Sequence, residues 1–288
     1  MLLIGQDDEA RMGNLFRVFK KMNLPKSKAK KAEFFFKGFP EDLRFKSHTV
    51  PDSMGLAKGT LYETWFNALK LSPYYLRICE THEYPSEEAE KTFHLFGDLR
   101  NTTFEKWWIA TGYGIFAEKK PFNRVSIANE KNDVGENIPI LRLEIPLNVS
   151  PKTLLNQFEN LLELHHPYFK NFDRWKASTA EVKLNSRRFT SASLNICLDV
   201  YEKFIDKQKL GEVRLYEIGE DLRINPKLNV VNTDRPGEIA DKHLKMSSSV
   251  SEYLEKAKNL VAHATEGRFP CVEDHPWIER QKRSSRKS

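Results

Sequence analysis

No run in this 288-residue chain approaches the ~18 uninterrupted apolar residues that a membrane-spanning helix requires, so no membrane partner is expected. The opening MLLIGQDDEARMG has three apolar residues and then acids, which does not read as a signal peptide. Cysteine is scarce. Cys79, Cys197 and Cys271 are odd in number and far apart, which offers no disulfide framework and points to a reducing, cytoplasmic compartment. The chain also lacks a phosphate-cradling glycine loop, a G-x-S-x-G elbow and any CxxC pair. Carboxylates are not grouped as a metal-dependent nuclease needs them: Glu144 has only Arg142 beside it, and Asp98, Arg100 and Glu105 sit where a helix N-terminus attracts acids anyway. Catalysis therefore finds no support here, and no cofactor is expected.

What is present is positive charge, unevenly placed. The formal net charge of +6 divides into +5 over residues 1–50 (11 Lys/Arg against 6 Asp/Glu) and −3 over 51–150 (11 against 14). Residues 151–278 balance, and the last ten carry +4 (5 against 1). No acid lies between Ala10 and Glu33, whereas Arg11, Arg17, Lys20, Lys21, Lys26, Lys28, Lys30 and Lys31 all do. Such segments neutralise phosphates with salt-dependent, sequence-blind affinity. The same pattern also suits a solvated helix end and a frayed tail.

Periodicity and caps predict a largely helical chain. In 13–22, Leu15, Phe16, Phe19 and Met22 share a helical face, and FFFKGFPEDLRF is apolar enough to dock on a core. HTVPDSMGLAKG (48–59) reads as loop. Leu61, Trp65 and Leu69 follow at i, i+4 and i+8. Ser72-Pro73 and Ser86 cap two further helices, the second stopping at Gly97. Thr102 and Glu105 have capping-box spacing ahead of FEKWWIATG. The stripe Phe104, Trp107, Trp108, Thr111, Ile115, Phe116 then assigns the tryptophan pair to a core rather than to base stacking, with one indole central and the other at the stripe's edge.

EKNDVGEN (130–137) is a polar break, and IPILRLEIPLN (138–148) alternates like a short or edge strand. Ser150-Pro151 then opens another helix. The expectation is an α+β fold, predominantly α-helical, with a helical N-terminal region, a small sheet in the middle and a C-terminal helix-turn-helix-like bundle. The expected divisions are a helical aromatic-rich part at 1–130 with its basic N-terminal segment, a small α+β segment at 131–190, the helix-turn-helix-like domain at 191–270, and a basic tail at 271–288.

The last third carries the most specific pattern. Leu194, Cys197, Leu198, Tyr201 and Ile205 form one stripe, ending at Gly211. VRLYEIGEDLRIN with Leu215, Ile218, Gly219 and Leu222 resembles the supporting helix of a helix-turn-helix unit, whose small residue lets two helices cross closely. A final helix, capped at Ser248 or Ser249 and stopped by Gly267, buries Val250, Leu254, Ala257, Val261 and Ala264. Ser251, Glu252, Glu255, Lys256, Lys258, Asn259 and His263 face elsewhere. The motif has three or four residues between its helices, whereas 225–247 intervene here: either this insert holds a hairpin wing and GEIADKHLK is itself a short helix, or the motif does not apply. Glu252 and Glu255 are also ill suited to a phosphate-facing surface. A purely structural helical bundle is the alternative.

LSPYY (71–75), FGDLRNTTFEKWW (96–108) followed by GIF, and AKNLVAHATEGRFP (257–270) loosely resemble uncharacterised bacterial mobile-element or prophage-associated proteins. That resemblance implies a mobile-element or anti-phage setting and brings no catalytic residues. The spacings Cys79-x-x-His82 and Cys271-x-x-x-His275, with His165-His166, offer zinc-ligand pairs, but the pairs are far apart and no metal site is expected. The expected function is nucleic-acid binding, with duplex DNA favoured. Lys20, Lys21, Lys26, Lys28, Lys30, Lys31, Arg187, Arg188, Arg280, Lys282 and Arg283 would supply phosphate contacts, and Ser251, Lys256, Lys258 and Asn259 the groove-facing surface. The alternatives are a protein-interaction subunit of a larger complex, or a metal-dependent nuclease.

Overall fold

In the computed structural model the described residues are 34–44, 46–118, 141–166, 169–171, 178–185, 189–211 and 213–278, all within the unit Glu33–Ser288. They are helical. A short α1 (Glu41–Arg44) precedes α2 (Val50–Ala57), α3 (Leu61–Leu71), α4 (Pro73–Thr81) and α5 (Glu87–Phe96). One interrupted helix follows: α6 (Phe104–Trp107), a π-helical turn (Trp108–Gly112) and α7 (Tyr113–Phe116). Then come α8 (Pro151–His165), α9 (Ser191–Lys209), α10 (Leu215–Asp221), a 3₁₀ turn (Pro226–Leu228) and α11 (Pro236–Thr265). None of the described helices is long and apolar enough to cross a membrane.

The sheet expected in the middle of the chain is absent among the described residues, so the fold is not α+β. Residues 141–146 form no regular secondary structure and pair with no strand, Leu147 begins a turn, and Leu141, Ile145 and Leu147 are 41%, 60% and 92% exposed. Alternation fits a strand only if a second backbone satisfies its N–H and C=O groups and covers one face; here neither occurs, and Pro146 removes a donor besides. The β pairing among the described residues is one isolated antiparallel bridge, Phe34 with His48.

Local signals placed most helix ends. Ser72, Ser86 and Ser150 each accept a backbone N–H from the first turn they cap. The cap ahead of the tryptophans is Thr103, one residue after the expected Thr102, and Glu105 instead pairs with Lys58. The stretch read as loop at 48–59 contains α2, capped by Thr49 with proline in its first turn. The final helix does not begin at Ser248 or Ser249. It starts twelve residues earlier at Pro236, where Glu238 accepts the Arg235 N–H at 2.8 Å.

One aromatic core joins α3, the α6–α7 helix, α9 and α11. Trp107 and Trp108 are both buried, and their indole N–H groups donate to Phe96 O (2.8 Å) and Ser53 Oγ (3.0 Å). The expected split into one central and one edge indole therefore does not occur. The π turn that begins at Trp108 changes the residue spacing, and a Cβ on Gly112 would stand 2.7 Å from the Trp107 ring. Phe36 and Phe39 dock here as expected, against Tyr62 and Trp108.

The close crossing expected at Gly219 is present. A Cβ there would overlap Met246 Sδ and lie 2.9 Å from Val250 Cγ2, so α10 rests directly on α11. The α9 stripe Leu194, Cys197, Leu198 and Tyr201 is buried against the same bundle.

Two of the three thiols are sealed. Burial pushes Cys79 up to about 11 and also raises Cys197, whereas Cys271 is partly exposed. Because the thiolate is the reactive form, a thiol reagent near pH 8 is expected to titrate one cysteine promptly in the native protein and all three in denaturant. Prompt reaction of a second thiol would contradict this packing.

Candidate functional site

The end of α11, its C-cap and the segment that follows bring together the buried His263 and His275 and the half-buried Glu266. His263 and Glu266 stand three residues apart and so share a helix face. Gly267, at φ 73°, then turns the chain back, and the Arg268 N–H returns to His263 O at 2.9 Å. Residues 268–278 run over the face of α11 that carries Asn259 and His263. The His275 N–H donates to Asn259 Oδ1 at 2.8 Å, and the Tyr74 hydroxyl holds Trp277 O at 3.0 Å.

Inside this strap His275 is 4% exposed and His263 2%. Their rings meet edge to face at 4.6 Å. His275 Nδ1 accepts the Trp277 N–H at 3.1 Å, which places its proton on Nε2, facing Glu266 Oε2 at 3.0 Å. The other Glu266 oxygen accepts from Ser86 Oγ at 3.0 Å. His263 Nε2 lies 3.0 Å from Glu273 O; a carbonyl can only accept, so the proton sits on Nε2 and the lone pair is left on Nδ1. That Nδ1 is buried with no hydrogen-bond partner. Burial holds His263 below the ordinary imidazole value of 6.5, so the ring is neutral at physiological pH.

One donor atom from each of His263, Glu266 and His275 lies within 4.8 Å of the others, a donor set suited to a divalent transition metal. It includes neither cysteine nor the His165-His166 pair that sequence spacing offered. Glu266 also lines a surface cavity of about 240 Å³, beside Glu88, Lys91, Thr92 and Lys183, so the group has a polar route to solvent.

The residues expected to bind nucleic acid are placed unevenly. Lys20, Lys21, Lys26, Lys28, Lys30, Lys31, Arg187, Arg188, Arg280, Lys282 and Arg283 lie outside the described residues. Ser251 and Lys256 are exposed on α11, with Lys256 Nζ 5.7 Å from the Tyr253 ring. Lys258 is half-buried, its Nζ 5.4 Å from the Phe204 ring. Asn259 does not face outward: it is buried, donating to Glu255 O and accepting from His275 N–H. His263, which helix periodicity puts off the buried stripe with Asn259, is buried by the strap too. Glu252 and Glu255 are exposed near Lys256, so this helix face has no excess of positive charge.

Two of the carboxylates considered for catalysis are occupied by cations, Glu105 by Lys58 and Asp98 by Arg100. Asp98 is bidentate with Arg100 (Nε to Oδ1 3.0 Å, Nη2 to Oδ2 2.7 Å), which holds it down to about 2. Glu144 lies in the exposed, partnerless stretch ahead of α8.

Compared with protein-family models, with curated proteins and with solved structures, the chain matches none of them.

Proposed function

We propose that the protein binds nucleic acid, duplex DNA foremost, through basic segments that flank an acidic helical body. The observation that carries this reading is the partition of charge along the chain. Residues 51–278 hold 30 Lys/Arg against 33 Asp/Glu, a net of −3, while residues 1–50 carry +5 and residues 279–288 carry +4. An acidic body repels phosphate and leaves the cation-rich stretches 11–31 and 280–287 as the attractive surface. This departs from a groove-reading α11, because Asn259 is buried and Lys258 is drawn against Phe204. The loose resemblance to mobile-element proteins fits such a role without specifying it.

Fluorescence anisotropy of labelled duplex DNA, single-stranded DNA and RNA against salt tests the proposal. With six to ten phosphates engaged, affinity is expected to fall by about 10³ or more between 50 and 200 mM salt. No binding to any probe at the lowest salt would overturn it.

A second reading, a protein-interaction subunit, is favoured by α8. That helix buries none of its residues, and Leu155 and Leu164 are 68% and 76% exposed just after Leu147 at 92%. Exposed leucines in one neighbourhood of this kind are typical of a surface that meets a partner.

A further inference from the structure

We infer that His263, Glu266 and His275 form a binding site for one divalent transition metal of the zinc class, which clasps the C-terminal strap to the end of α11. Three observations converge. One candidate donor atom of each residue, a ring nitrogen of either histidine or a carboxylate oxygen, lies within 4.8 Å of those of the other two, and modest closure brings such a set to the roughly 3.3 Å separation of ligands around tetrahedral zinc. His263 is preset as a ligand, because its Nε2–H is committed to the backbone carbonyl of Glu273 and its Nδ1 lone pair is buried without a partner. A metal-bound imidazole commonly donates its other N–H to such a carbonyl, which fixes tautomer and ring orientation. Glu266 is likewise oriented, one oxygen held by Ser86 and the other directed at His275.

A buried, unpartnered ring nitrogen in an otherwise satisfied polar group is a cost, because desolvation is not repaid. The rest of this group leaves little unsatisfied: Ser86, Asn259, Trp277 N–H and Tyr74 each meet a partner. A cation at His263 Nδ1 supplies the missing partner. The set of two imidazoles and one carboxylate selects a borderline metal over calcium or magnesium, and leaves a fourth position for water from the cavity that Glu266 lines.

Coordination through His275 Nε2 requires a tautomer change. The Nε2–H···Oε2 hydrogen bond is replaced by bonds from both atoms to the metal, and the ring proton moves to Nδ1, so the neutral ring gains and loses no proton. Nδ1–H then faces the Trp277 N–H, and the bond between them opens. Trp277, whose ring lies 4.6 Å from that of His275, is therefore a built-in reporter of loading.

The test uses the full chain, stripped with a chelator and titrated with zinc against a chromophoric competitor, then with cobalt for its visible absorption. The expected result is one equivalent bound at about micromolar affinity or tighter, a tetrahedral-type cobalt spectrum, and a change in tryptophan emission that Trp277→Phe removes. Glu266→Gln, nearly isosteric, and His275→Ala are each expected to weaken binding at least about 100-fold. Replacing the exposed His82, His165 and His166 together by alanine should leave it intact. The site is refuted if zinc does not bind at 100-fold excess over protein, or if binding survives Glu266→Gln, or if the triple surface variant abolishes it. If His275→Ala fails to fold, Glu266→Gln and the cobalt spectrum of the unaltered protein decide.

Discussion

Replacing Trp65 by alanine is expected to cost about 4 kcal/mol and to lower the thermal midpoint by roughly 10 °C, the largest stability effect of any single truncation proposed for this protein. Trp65 is fully buried on α3 and reaches three separate parts of the sequence. Its ring stacks on Phe269 at 5.1 Å with the planes only 19° apart, and packs against Phe96 at 5.3 Å and Phe116 at 5.7 Å. Its indole N–H donates to Ala264 O at 3.3 Å, at the end of α11. Truncation leaves a void between α3, α5, α7 and the strap that no one element can close alone. The lost hydrogen bond matters less, because Ala264 O also receives the Gly267 N–H at 3.1 Å. The measurement is thermal or denaturant unfolding beside Ile109→Ala, a side chain 49% exposed whose loss should move stability by no more than about 0.5 kcal/mol. Equal effects from the two variants would mean that Trp65 does not occupy the core centre.

How far the fold was legible in the sequence depended on whether a signal was local. Caps are local: Ser72-Pro73, Ser86 and Ser150 are readable because a hydroxyl accepting a first-turn N–H needs nothing from elsewhere in the chain. The stripe Val250, Leu254, Ala257, Val261, Ala264 was equally readable, and all five are buried. Of the first twelve residues of α11, GEIADKHLK (237–245) was readable only as a separate short helix, because Met246 is the buried one among the twelve and their helicity rests on the Glu238 cap and the Lys245–Asp241 pair. The middle sheet failed for the opposite reason. Period-2 alternation at 141–147 is a pattern any extended segment can carry, and strand formation depends on a partner that local sequence does not reveal.

The candidate metal site shows the same division. The spacing Cys271-x-x-x-His275 pointed to no metal site, and of that pair only His275 belongs to the group, whose other members are His263 on α11 and Glu266 at its C-cap. His263 sits off the main stripe and so reads as exposed. It becomes buried only because residues 268–278 return over that face, a tertiary event fixed by Gly267, Asn259 and Tyr74 rather than by helix periodicity.

Changing Lys20, Lys21, Lys26, Lys28, Lys30 and Lys31 together to glutamine is expected to reduce duplex affinity about 100-fold or more near 0.1 M salt, and to flatten the salt dependence by up to about five units of log–log slope. The argument is one of number. Each phosphate neutralised releases close to one condensed counterion, so six lysines change the slope even when only half engage at once. Lys256→Gln with Lys258→Gln is expected to change affinity by no more than about twofold, since Glu252 and Glu255 share that face and Lys258 already lies against Phe204. The two variants distinguish a protein that holds DNA through the charge of its basic N-terminal segment from one that reads it with a helix. Should the paired α11 variant lose more affinity than the sixfold one, the body would be the binding surface after all, and the acidic excess of residues 51–278 would have to be locally reversed around Lys256.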